Sequence, residues 1–167
     1  MITGPVALDA PVGADVVRVE TTTEMERAVR EALPAADVLI MAAAPADYQP
    51  ASAAPSKHPR AAGPTAIQLV PTSDILSSTS DARKPGSVMV GFALETGDAV
   101  ARGQAKLERK KLDLIVVNDA LEPGAGFEVE TNRVTLIARG EEPRALPLRS
   151  KLEVAESILD AVESRLV

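Results

Sequence analysis

The chain has 167 residues, of which 46% are apolar, 25% charged and 2% aromatic, and its net charge is −6. That size suits one domain, 1–167, with a buried core, and the balance of residues excludes a disordered or fibrous chain. There is no cysteine, no Lys/Arg block long enough to track a phosphate backbone and no apolar run near the roughly 20 residues that span a bilayer. Disulfide frameworks, thiolate metal sites, nucleic-acid partners and membrane spans are therefore not expected; a cytoplasmic location is.

In chain order, the β-branched Val16, Val17 and Val19 predict a strand. Thr21 and Glu24 then have the spacing of a capping box. The helix that follows repeats Met25, Ala28, Val29, Ala32 and Leu33, and Pro34 stops it. The unbroken apolar run 38–44 is short for a helix and reads as a central, fully buried strand. Residues 45–64 hold five prolines and the lone histidine, His58, with no apolar periodicity, and read as a long loop of functional or mobile character.

A strand is predicted over 66–70, and Thr72, Ser73 and Asp74 supply capping groups for a short helix around Ile75 and Leu76. Residues 88–94 repeat the pattern of a buried strand. A helix over 98–111 is expected to turn Ala101, Ala105 and Leu112 inward, with cations in its last turn. Leu114 to Val117 form another buried strand, ended by Asn118 and Asp119. Phe127 to Glu130 and Val134 to Ile137 are expected to pair as a hairpin across Thr131 and Asn132. Ser150 and Glu153 cap a last helix that buries Val154, Ile158, Leu159 and Val162. The alternation predicts an α/β fold with a mostly parallel sheet and a small antiparallel hairpin appendage. Ligands of such sheets bind beyond the carboxyl ends of the strands, which points to 42–47, 92–96 and 118–119 as one mouth.

The chemistry is sparse. No phosphate-loop or dinucleotide fingerprint is present, and Gly124 and Gly126 read as a turn before a hairpin. A nicotinamide-dependent reductase has only the general fold in its favour. His58 has no nucleophile elbow to serve. Lys106 and Lys110 stand one helical turn apart, so both ammonium groups leave one face; either Asp98, Glu108 or solvent offsets them, or a bound anion does, with Lys57 of the loop reaching the same triphosphate. Asp47 follows a strand, where a carboxylate could meet a ribose, an amino group or a metal, or serve a turn; the same alternatives hold for Asn118 and Asp119.

Taken in order, Gly4-Pro5-Val6, the segment Ala42-Ala43-Ala44-Pro45-Ala46-Asp47-Tyr48-Gln49-Pro50, Pro71-Thr72-Ser73-Asp74-Ile75-Leu76, Gly91-Phe92-Ala93-Leu94-Glu95-Thr96, and Lys106 to Asp113 running on to Asn118-Asp119 resemble the phosphopantothenoylcysteine synthetase domain of bacterial bifunctional coenzyme A enzymes. The resemblance covers nearly the whole chain. It implies a Rossmann-like three-layer fold, a homodimer, and a ligase that uses CTP and Mg²⁺ to join 4'-phosphopantothenate to L-cysteine through an acyl-cytidylate. It further implies that Met41, Ala42 and Ala43 line the nucleotide, that Asp47 contacts the nucleoside, and that Lys57 acts catalytically from the loop. Ser73, Asp74, Ile75, Leu76 and Phe92 would border base and ribose, with Lys106 and Lys110 on the triphosphate; no metal ligands are assigned.

Two departures stand out. The family's glycine-rich first segment has no counterpart before Met1, and its lysine-rich loop is here Ser56-Lys57-His58-Pro59-Arg60. A non-catalytic nucleotide-binding module, or an inactive fragment of the ligase, is the competing expectation, and ATP in place of CTP stays open.

Overall fold

The computed structural model describes residues 1–52, 56, 66–119 and 130–166. The elements run β1 (Ile2–Thr3), β2 (Val17–Arg18), α1 (Thr22–Ala32), β3 (Val38–Met41), β4 (Tyr48–Pro50), β5 (Leu69–Pro71), α2 (Ile75–Thr79), β6 (Val88–Glu95), α3 (Ala99–Arg109), β7 (Leu114–Asp119), β8 (Thr131–Asn132), β9 (Val134–Ala138), β10 (Arg144–Ala145), β11 (Arg149–Ser150) and α4 (Lys151–Glu163). They fall into two compact units, Met1–Val29 with Ala43–Ile75, and Arg30–Ala42 with Leu76–Val167.

The second unit is built on a five-stranded sheet in the order β10-β9-β7-β6-β3. The expected parallel pairing holds for β3 with β6 and for β6 with β7, while β9 runs antiparallel to β7 and β10 antiparallel to β9, so the sheet is mixed. Helices cover both faces, which explains why β6 and β7 read as continuous apolar runs. On one face Val88, Val90, Leu114, Val116, Val134 and Leu136 pack with Val154, Ile158, Ala161 and Val162 of α4. On the other lies α3, whose Gly103 sits directly over Val117 and Ile137.

That close approach corrects the expected inward face of α3. Gly103 and Leu107 are buried, and Ala101 and Ala105 are exposed. Both pairs have the same i, i+4 spacing, and the sheet selects the one that lets the helix backbone come nearest. A Cβ on Gly103 would lie 2.6 Å from Val117 Cγ2 and 2.8 Å from Ile137 Cδ1. Val117 is stiff about χ1 and cannot swing aside freely. Gly103→Ala is therefore expected to destabilise the fold by about 1–2 kcal/mol, overpacking outweighing the helix propensity it gains; urea unfolding checks this, and a stabilised variant would contradict the packing.

The end of α3 is a Schellman motif. Lys111 adopts φ 54°, its N–H donates to Glu108 O at 3.2 Å, and the N–H of Leu112 donates to Leu107 O at 3.0 Å. A side chain in the left-handed region costs about 1 kcal/mol, which glycine avoids. Lys111→Gly is expected to raise stability by about 0.5–1 kcal/mol, read as a shift in the thermal midpoint. At the amino ends of the parallel strands, Asp113 Oδ2 accepts from Arg83 Nη2 at 2.7 Å and from the Met89 N–H at 2.8 Å, and the Asp113 N–H donates to Met89 O at 3.0 Å.

Three further expectations change. The run read as a central buried strand is β3, which ends at Met41 and lies at the edge of the five-stranded sheet, with Ile40 39% exposed; an apolar run does not reveal whether one or both sides of a strand are paired. Val134 to Ile137 do not form an appendage. They are a buried strand of the main sheet, in register Val116↔Leu136 with β7. Thr131 and Asn132, lacking the positive φ of a tight hairpin turn, form β8 and pair with β11. Phe127 to Val129 lie outside the described residues. In α4, Leu159 is exposed, and Ser157 and Ala161 complete the buried face.

The first unit holds β1 and β2 in parallel and β4 and β5 in antiparallel pairing, with Tyr48 opposite Pro71. The expected loop 45–64 thus contains a strand, and the strand expected over 66–70 begins at Leu69. Proline in both partners hid the ribbon, because prolines argue against strands except where an outer edge needs no N–H. Both capping boxes are formed. Glu24 Oε2 accepts from the Glu20 and Thr21 N–H groups at 2.8 and 3.0 Å, which hold its carboxyl below its ordinary range, and Glu153 is lowered likewise by the Ser150 hydroxyl and N–H.

Candidate functional site

Parallel register places the carboxyl ends of β3, β6 and β7 along one end of the sheet. Met41 pairs with Gly91, so β6 continues four residues beyond β3, through Phe92 to Glu95, with Glu95 opposite Asp119. Met41 is buried at the end of its strand and Ala42 is exposed just past it. Strand alternation sends the side chains of Val88, Val90, Phe92 and Leu94 to the α4 face and those of Met89, Ala93 and Glu95 to the α3 face. Along Phe92 and Leu94 the sheet is open, and these side chains are 37% and 46% exposed. Leu76, in α2, is buried against the place where Gly91 lacks a side chain.

Helix α3 begins with Asp98, whose Oδ1 accepts from the Ala101 N–H at 3.1 Å. Its polar face carries Arg102, Lys106 and Lys110 at successive turns, and Lys110 is the half-buried C-cap residue. Glu95 meets this stripe. Its carboxylate, 7% exposed, lies 2.5 Å from Lys106 Nζ through Oε1 and 3.8 Å from Arg102 Nη1 through Oε2. The expected offsets are otherwise engaged, Asp98 in capping α3 and Glu108 with Arg139 at 3.4 Å. Sequence reading missed Glu95 because it lies eleven residues before Lys106, on a strand, with no helical spacing to signal the pair.

Of the expected site residues, the second unit sets Met41, Ala42 and Phe92 at the carboxyl end of its sheet and brings the Lys106 ammonium to Glu95 there, on the face opposite Phe92, whereas Lys110 caps the far end of α3, three residues before Asp113 at the amino ends of the strands. The first unit gathers others by itself. The Thr72 N–H donates to Asp47 O at 2.9 Å and Thr72 Oγ1 to Ala46 O at 2.6 Å, which fixes the segment leading to Ser73 and Asp74 beside Asp47. Ala43, Asp47, Ser73 and Asp74 are exposed and Ile75 is buried. Lys57, His58, Gly124 and Gly126 lie outside the described residues. Among the described residues, no group of three acidic or imidazole side chains could hold a metal, and no helix is long and apolar enough to cross a membrane.

Residues 1–166 match the family model described as DNA/pantothenate metabolism flavoprotein C-terminal domain. A protein of an unknown prokaryotic organism named cysteine/cysteine sulfinic acid decarboxylase is 40% identical over 161 residues, covering 95% of this chain and 45% of that protein. The coenzyme A biosynthesis bifunctional protein CoaBC of Bacillus subtilis (strain 168) is 39% identical over 163 residues, covering 97% of this chain and 40% of that protein. The chain thus spans less than half the length of these relatives. The crystal structure of the C-terminal domain of a CoaBC protein superposes with a TM-score of 0.80 at 32% identity, over 99% of this chain and 72% of that one. With residues 1–166 matched by the family model and the same fold in the superposed structure, the chain belongs to the DNA/pantothenate metabolism flavoprotein C-terminal domain family.

Proposed function

We propose that this chain is a ligase domain of coenzyme A biosynthesis that joins 4'-phosphopantothenate to L-cysteine at the expense of CTP. The observation that carries this reading is the Lys106 ammonium held beside Glu95 at the carboxyl end of β6, in a chain whose family includes CoaBC proteins. In the proposed reaction a carboxylate oxygen of phosphopantothenate attacks the α-phosphorus of CTP, forming the acyl-cytidylate and releasing pyrophosphate. The amine of cysteine then attacks the acyl carbon, CMP leaves with the bonding electron pair, and the amine gives up a proton.

Such chemistry depends on positioning and on neutralising phosphate charge more than on acid–base groups. Lys106 and Lys110 supply that charge, each ammonium offering donors to phosphate oxygens. Magnesium enters with the triphosphate in this reading, as it commonly does in nucleotide sites. In the same reading Lys57 is assigned to the phosphates, and Asp47 with Ser73, Asp74, Ile75 and Leu76 to base and ribose. A homodimer in the cytoplasm is the proposed working state, checked by sedimentation.

The test is release of pyrophosphate from CTP on addition of phosphopantothenate, with ATP in parallel. Turnover with CTP supports the reading. CTP binding with no phosphopantothenate-dependent pyrophosphate would favour a nucleotide-binding module without catalysis.

A further inference from the structure

Glu95 is a poor choice for the end of a strand if only stability mattered. A buried carboxylate loses several kcal/mol of hydration and recovers it only with good partners. Here Lys106 Nζ is 2.5 Å from Oε1 as an ion pair, Oε1 makes no hydrogen bond among the described residues, and Arg102 Nη1 is 3.8 Å from Oε2. An apolar side chain of similar size would fill this place at least as favourably. What the carboxylate does is hold one ammonium. Lys106 would otherwise sample many rotamers along its four-carbon stem, and it stands between two other cations on the same helix stripe.

We propose that Glu95 is a positioning residue that fixes the Lys106 ammonium at the carboxyl end of the sheet for a nucleotide's phosphates. This rests on the nucleotide-binding reading above. The ammonium has three N–H donors, so one held beside Glu95 by charge still has donors for phosphate oxygens, and Lys106 need not abandon the buried carboxylate when the ligand arrives. Simple charge counting gives the opposite expectation, because removing a negative charge beside a polyphosphate should tighten binding. The sign of the effect therefore separates the two.

The experiment titrates Mg-CTP calorimetrically into the unaltered chain, Glu95→Gln, Lys106→Ala and the double variant. Glu95→Gln is expected to raise Kd roughly tenfold, the order set by the rotamer freedom of one lysine, and to change Kd less than about twofold when Lys106 is already alanine. A second readout needs no nucleotide: acetic anhydride should label Lys106 faster in Glu95→Gln, with Lys84, paired to Asp37, labelled at an unchanged rate. A merely structural role would expose both lysines. Should Glu95→Gln not fold, Glu95→Met, which buries no unpaired polar group, is expected to give the same results. Absence of CTP binding by the unaltered chain would sink the nucleotide reading itself. Binding by the unaltered chain, with equal or tighter binding in the Glu95 variants, overturns the positioning role alone.

Discussion

Truncating Leu112 to alanine is expected to destabilise the chain by about 2–5 kcal/mol, the range for a leucine deleted from a closed core. Leu112 is fully buried. Its N–H closes the Schellman motif, and its Cδ1 lies 2.6 Å from where a Cβ of Gly91 would be. Gly91 has no side chain to relax into the space, so most of the cavity would persist. Urea unfolding monitored by circular dichroism measures the loss. A cost below about 1 kcal/mol would mean that neighbouring groups collapse into the gap, contrary to the packing described.

Lys106→Ala and Lys110→Ala are each expected to weaken CTP binding by about 1–3 kcal/mol, the range for charge-assisted contacts. The double variant should lose less than the sum, since groups one turn apart sharing one ligand are coupled. The effect should shrink as salt rises, because both side chains are partly exposed to solvent. Lys106→Ala also leaves Glu95 with only the more distant Arg102 among its described ion-pair partners, so its stability has to be measured beside its affinity. Unchanged titrations in both single variants would remove these lysines from the proposed site.

What was legible in the sequence is what short-range physics determines. The boxes Thr21–Glu24 and Ser150–Glu153 are formed because their partners lie within one turn, where spacing alone brings them together. The apolar runs of β6 and β7 announced strands covered on both faces. Less legible was everything decided by partners far along the chain. The direction in which β9 pairs, the edge position of β3 and the ribbon of β4 with β5 depend on which strand arrives alongside, and no local pattern carries that. Gly103 was overlooked because an absent side chain leaves no hydrophobic signal, although that absence brings α3 close to the sheet. At the candidate site the lysine stripe could be read from helical spacing, and its carboxylate partner could not.

Asp113 grips Met89 twice, by its main-chain N–H on the carbonyl and by its carboxylate on the amide, and ties Arg83 to the same point. Peeling β6 from β7 at that end would break all three links together. At the far end, past Gly91, the strand has outrun β3 and its apolar side chains are open. The sheet is thus unequal at its two margins: separating β6 from β7 at one would break side-chain and main-chain links at once, whereas at the other β6 has no β3 beside it and exposes Phe92 and Leu94.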